Sequence, residues 1–182
     1  RGVPARGKSA AKAPVWLRHV FAQGDAPGLS HYMGCGDVNQ DGLTDIAAAA
    51  KIAPGGNWFA WWEQPEAAKR QTAPAWKRHD IATGQEGATN IQIGDWNGDG
   101  KPDAFGTRGH GRGVVLFEGP DWIPREIDPG LTGPHSLATG DIDSDGDLDA
   151  ATCAKDSGVV ALYLNDGRGG FRRVYLHEDQ SA

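Results

Sequence analysis

An all-β fold of three repeated four-stranded units is what this sequence predicts, on three observations. A run of alternating oxygen-bearing residues occurs as "GDVNQDGLTDI" (36–46), "GDWNGDGKPDA" (94–104) and "GDIDSDGDLDA" (140–150). An aromatic-led segment occurs as "WLRHVF" (16–21), "WKRHDI" (76–81), "WIPREI" (122–127) and "FRRVYL" (171–176). The chain between them consists of short apolar runs bounded by Gly, Asn and Asp, the pattern of strands and turns rather than of long amphipathic helices.

The two repeats keep step. The first three aromatic segments precede the next loop glycine by 20, 18 and 18 residues, and the loop glycines precede the next aromatic segment by 40, 28 and 31. The surplus in the first unit falls in "EQPEAAKRQTAPA" (63–75), which reads as a surface insertion. Within the last unit, "HSLATGDI" enters the loop as a strand, "LDAATCA" leaves it, "GVVALYL" follows, and "NDGRGG" turns into "FRRVYL". Four short strands in a unit of 46–58 residues make a β-propeller blade. Three blades with an extra leading strand at 16–21 are fewer than the four to eight that close a ring. The expectation is therefore an incomplete propeller, or one that other chains complete.

Each loop has the chemistry of a hard-cation site. Oxygen ligands at alternate positions around a glycine are what Ca²⁺ needs to gather six or more oxygens from a short segment. Counting from the first Asp, positions 1, 3, 5 and 9 are Asp37, Asn39, Asp41 and Asp45; Asp95, Asn97, Asp99 and Asp103; and Asp141, Asp143, Asp145 and Asp149. Position 7 offers only a carbonyl, so Leu43, Lys101 and Asp147 can differ there. Three Ca²⁺ sites are expected. The twelfth residues, Ala48, Gly106 and Thr152, lack the bidentate carboxylate that completes an EF-hand, which excludes that motif and the dockerin type.

The loops, together with "YLNDGRGGF", resemble the FG-GAP/VCBS repeats of extracellular β-propellers over residues 15–177. That resemblance implies calcium-binding blades. It leaves the activity open, since similar blades occur in adhesion heads, lectin-like modules and some sugar lyases.

Composition bounds the rest. The formal charge is −6, and the ten carboxylates at loop positions 1, 3, 5 and 9 account for it, so three Ca²⁺ would bring the sum near zero. Without a basic stripe the chain is no nucleic-acid binder, and no apolar run reaches membrane-spanning length. Residues 1–14, with no initiating Met and no apolar signal core, read as a mobile terminal segment, and 178–182 as a tail. Cys35 and Cys153 occupy non-equivalent repeat positions and read as two buried thiols, with a disulfide as the alternative. Calcium use and the resemblance place the domain outside the cytoplasm: secreted, periplasmic or at the cell surface.

Two functional readings follow. In the first, a binding or adhesion module takes a glycan or protein ligand, with Trp62 and a solvent-facing Trp96 as stacking surfaces and Glu63 as hydrogen-bonding partner. "NWFAWW" (57–62) also fits plain packing between blades, with Trp58, Ala60 and Trp62 on one face and Phe59 and Trp61 on the other. In the second, the chain is part of a carbohydrate lyase or dehydratase. His31 and His135 each stand five residues before a loop glycine, on innermost strands, and would form an axial acid/base or metal site. The middle repeat has Thr89 there. His19 and His79 read as structural, and His110 lies in a glycine-rich turn without the strand-to-helix context of a phosphate loop. The binding module is the preferred reading.

Overall fold

The computed structural model describes residues 18–51, 56–66, 68–69 and 75–177. Among the described residues, twelve strands form three four-stranded antiparallel sheets. The first blade contains β1 (Leu29–Gly36), β2 (Asp45–Lys51), β3 (Trp58–Glu63) and β4 (Lys77–Ala82). β5 (Asn90–Gly94), β6 (Asp103–Thr107), β7 (Arg112–Glu118) and β8 (Ile123–Thr132) make the second, and β9 (Ala138–Gly140), β10 (Asp149–Ala154), β11 (Val159–Asn165) and β12 (Phe171–His177) the third. In each blade the strands pair in chain order, and the loop glycine faces the ninth-position Asp: Gly36 with Asp45, Gly94 with Asp103, Gly140 with Asp149.

Burial of both sheet faces holds the blades together. Ala47, Ala49, Phe59 and Trp61 of the first blade meet Ile91, Ala104, Val115 and Phe117 of the second in one apolar cluster. The small side chains of "IAAAA" and a glycine on β1 permit this approach: a Cβ on Gly34 would lie 2.5 Å from the Ile91 carbonyl oxygen. Trp96, Phe105, Val114 and Leu116 then meet Ala150, Ala161 and Tyr163 at the second boundary. That boundary also holds a fully buried Asp128, which accepts hydrogen bonds from Tyr163 Oη (3.0 Å), Tyr175 Oη (2.7 Å) and Arg173 (2.7 Å). Burying a carboxylate costs several kcal/mol unless it is paired, and these three donors offset that cost.

The leading segment departs from expectation. Residues 18–21 form no strand, and 16 and 17 lie outside the described residues. Instead the stretch from Phe21 to Pro27 covers the outer face of the first blade. Phe21, Ala22 and Ala26 pack on Trp58 and Trp62, whose indole N–H groups donate to the Pro27 carbonyl and to Asp25, both at 2.9 Å. A strand would leave those indoles bare; a cap removes them from water. The leading aromatic segment thus ends at Phe21 in a lid on a blade face. Of the inserted stretch 63–75, residue 67 and 70–74 lie outside the described residues; Glu63 ends β3, and the remainder forms no strand. The terminal segments 1–14 and 178–182 lie outside them too. Cys35 and Cys153 are free, but exposed rather than buried, because both sit on outward-facing strand positions.

Candidate functional site

The three Asp loops share one hydrogen-bond plan. The first-position carboxylate gathers two backbone N–H groups: Asp37 from Asp41 and Gly42, Asp95 from Gly98 and Gly100, Asp141 from Asp145 and Gly146. The fifth accepts from the seventh residue's N–H at 2.8–2.9 Å. The ninth is fully buried and joins the loop to the end of the blade's third strand. Asp45 bonds Val38 N and Gln64 N, Asp103 bonds Trp96 N and Gly119 N, and Asp149 bonds Ile142 N and Asn165 N. Burial pushes the Asp45 and Asp103 carboxyls above the usual carboxylate range, against the pull of those N–H groups. In the third loop burial and then Asp145 raise Asp143 and Asp147 likewise.

An all-oxygen donor set fits a hard cation. Carboxylate oxygens of Asp141, Asp143 and Asp149 lie within 4.8 Å of one another. A carboxylate oxygen that accepts one N–H keeps a second lone pair, so the backbone contacts leave capacity for a metal.

The same plan explains why Trp96 does not face solvent. The second loop position donates its N–H to the buried ninth Asp, which turns its side chain into the boundary with the next blade. Val38 and Trp96 are accordingly core residues, Trp96 at 0% exposure against Phe105. Ile142, in the third blade, is 45% exposed. Trp62 is buried as well, at 2%, under the Phe21 cap. Glu63 is engaged by His79 at 2.9 Å, and His79 stacks on Trp61. The stacking surfaces expected at Trp96 and Trp62 are therefore packing, as two-sided burial of "WFAWW" requires.

Another groove exists at the loop end of the first blade boundary, with a volume of about 540 Å³. Asn39 and Gln40 of the first loop, Lys101 and Pro102 of the second, Trp61, His79, Asp80 and Trp122 line it. Trp122 is only partly buried and is held at φ 54°. Non-glycine residues rarely occupy that region, and such strain concentrates at ligand sites.

At the opposite end of the blades, three histidines converge. His31 lies on β1, His135 just before β9, and His110 in the β6–β7 turn, one from each blade. The Nε2 of His110 is 2.9 Å from that of His31, 3.0 Å from that of His135, and 3.0 Å from Lys51 Nζ. The sequence pointed to His31 and His135, and they do meet; it missed His110 and Lys51. Thr89, their counterpart in the middle blade, is fully buried and bonds the Gly87 carbonyl, so that blade reaches the centre through its turn.

Glycines make the reach possible. A Cβ on Gly87, at φ 78°, would lie 2.3 Å from Gly111 N, and one on Gly109 would lie 2.6 Å from His135 Cα. Arg108, bonded to Gln85 and Glu126, anchors the turn. Burial, followed by the Lys51 ammonium, lowers the His31 and His110 pKa values below the ordinary imidazole value; for His135, burial and then Lys155 do so. All three rings are only partly buried. The signal that could have found His110 was the glycine spacing of "RGHGRG", which marks a turn pressed against backbone.

Residues 37–106 match the FG-GAP-like repeat family, from the first loop into β6. No curated protein is significantly similar to the chain. No helix among the described residues is long and apolar enough to span a membrane.

Proposed function

Taking as premise a chain that carries an FG-GAP-like repeat within propeller-type blades, we propose that it is a calcium-binding module of the cell exterior. Its ligand is a glycan, held in the groove between the first two blades. One observation carries this: the groove is walled by residues of two Asp loops and by the partly exposed indole of Trp122. An indole face suits the apolar face of a sugar ring, while Asn39, Gln40, Asp80 and Lys101 offer donors and acceptors to its hydroxyls. The second loop is tied to the first by Gln40, whose amide donates to the Gly100 carbonyl at 2.8 Å. Ca²⁺ held by positions 1, 3, 5, 7 and 9 of each loop would fix that wall, so ligand binding is calcium-dependent.

Val160 and Leu176, exposed on the third blade's face turned from the second, suit the docking of a further blade from the same or another chain. A carbohydrate lyase or dehydratase remains the second reading, favoured by the convergence of His31 and His135, and turnover of uronic and oxidised sugars tests it.

For the binding reading, calorimetry against an oligosaccharide panel with and without Ca²⁺ is the test. Trp122→Ala is expected to weaken binding about tenfold, which corresponds to about 1.4 kcal/mol. Binding that ignores both Trp122 and Ca²⁺ overturns the proposal.

A further inference from the structure

We propose that His31, His110 and His135 form a three-imidazole centre for a divalent transition metal of the Zn²⁺ class, with one coordination position open to solvent. The proposal is independent of the glycan groove and of the Asp loops, which lie at the other end of the blades.

The argument begins with a conflict at one nitrogen. An imidazole Nε2 has a single in-plane site: it donates one hydrogen or accepts one. Around His110 Nε2 stand His31 Nε2, His135 Nε2 and Lys51 Nζ, all within 3.0 Å. That nitrogen can satisfy only one of the three. A metal ion resolves the conflict because it takes one lone pair from each imidazole and requires no hydrogen between them.

The dimensions agree. Zn–N bonds of about 2.05 Å at tetrahedral angles place ligand nitrogens roughly 3.4 Å apart, and all three donor atoms lie within 4.8 Å of one another. An outward relaxation of a few tenths of an ångström at the two short contacts completes the geometry. Ligand type decides the metal class. Neutral nitrogen donors suit Zn²⁺, Co²⁺, Ni²⁺ or Cu²⁺, whereas Ca²⁺ and Mg²⁺ require oxygens.

Partial exposure of the three rings leaves the fourth position to water or to a ligand oxygen, the arrangement of catalytic rather than structural zinc sites. Burial holds the imidazoles below their ordinary pKa, in the neutral form that ligates. Lys51 and the metal compete for the same lone pair of His110. The glycine-flanked turn and the Arg108 anchor show that His110 is placed there by construction, because its own blade lacks a histidine at the innermost position.

The test is a metal titration. Protein stripped of metals and returned to excess Ca²⁺ is titrated with Co²⁺, whose visible ligand-field absorption reports low-coordinate nitrogen ligation, and then with Zn²⁺. A single equivalent of Co²⁺ should bind, and Zn²⁺ should displace it. His31→Ala, His110→Ala and His135→Ala should each weaken binding by at least about 100-fold, more than the 10–100-fold that an outer-shell partner accounts for. His19→Ala, which removes an exposed imidazole outside both the cluster and the groove, should leave it unchanged. Imidazole nitrogen NMR of the unmodified protein with Zn²⁺ needs no variant and should move three histidines together. A folded wild-type protein that takes up no stoichiometric Co²⁺ or Zn²⁺, or one whose binding survives all three substitutions, overturns the proposal.

Discussion

The Asp loops and the histidine cluster occupy opposite ends of the same blades and are built in opposite ways. A loop draws its oxygens from nine consecutive residues, three times over, and its ninth Asp is buried under two backbone N–H bonds. The cluster draws one imidazole from each blade, across sequence separations of 79 and 25, and its rings stay partly exposed. On the two proposals above, the difference would separate structure from chemistry. Repeated, locally encoded sites stabilise each blade in the same manner, whereas a site that exists once, only after three blades have packed, contributes little to any of them.

If that division holds, removing calcium produces the largest change in stability. A site loaded at tenfold its Kd contributes about 1.4 kcal/mol, so three would contribute about 4. Chelation should lower the melting temperature beyond any effect of added salt, since it also leaves adjacent carboxylates repelling one another. An unmoved melting curve would make the loops ordinary turns. Next comes Asp103→Ala, which strands the buried N–H of Trp96 and the part-buried N–H of Gly119. A loss of about 3 kcal/mol is expected in urea unfolding, at the rate of about 1–3 for each unsatisfied buried group. It should persist without Ca²⁺, because the bonds concerned are to backbone.

The same contrast governs what could be read from the sequence. Loop register, the strands around it and the blade count were legible because each blade restates them within some fifty residues. Packing at the blade boundaries was not. Trp96 looked like a solvent-facing residue in a polar loop, yet its neighbours Phe105 and Leu116 belong to β6 and β7 and Ala150 to another blade. The leading segment matched the repeat in residues, yet 18–21 form no strand and Phe21 to Pro27 cover Trp58 and Trp62, whose faces offered more apolar burial than a lone strand. His31 and His135 were legible by their common offset from the loop glycine, whereas His110 breaks the repeat and so left no periodic signal.

The smallest expected change in stability is at the histidines, and it is the sharpest test of the division. His31 is partly exposed, and its side chain contacts His110 through a nitrogen that two other groups also approach. Replacing it with Ala strands no buried donor and opens no closed cavity, so in the metal-free protein its unfolding free energy should stay within about 0.5 kcal/mol of wild type, the range of surface substitutions. The Asp103→Ala variant, measured alongside, should lie several-fold outside that range while keeping whatever affinity the cluster has for Co²⁺ in its folded fraction. Were His31→Ala to cost as much as Asp103→Ala, the imidazoles would be a structural tie between blades. The division of the molecule into a stabilising end and a chemical end would then fail.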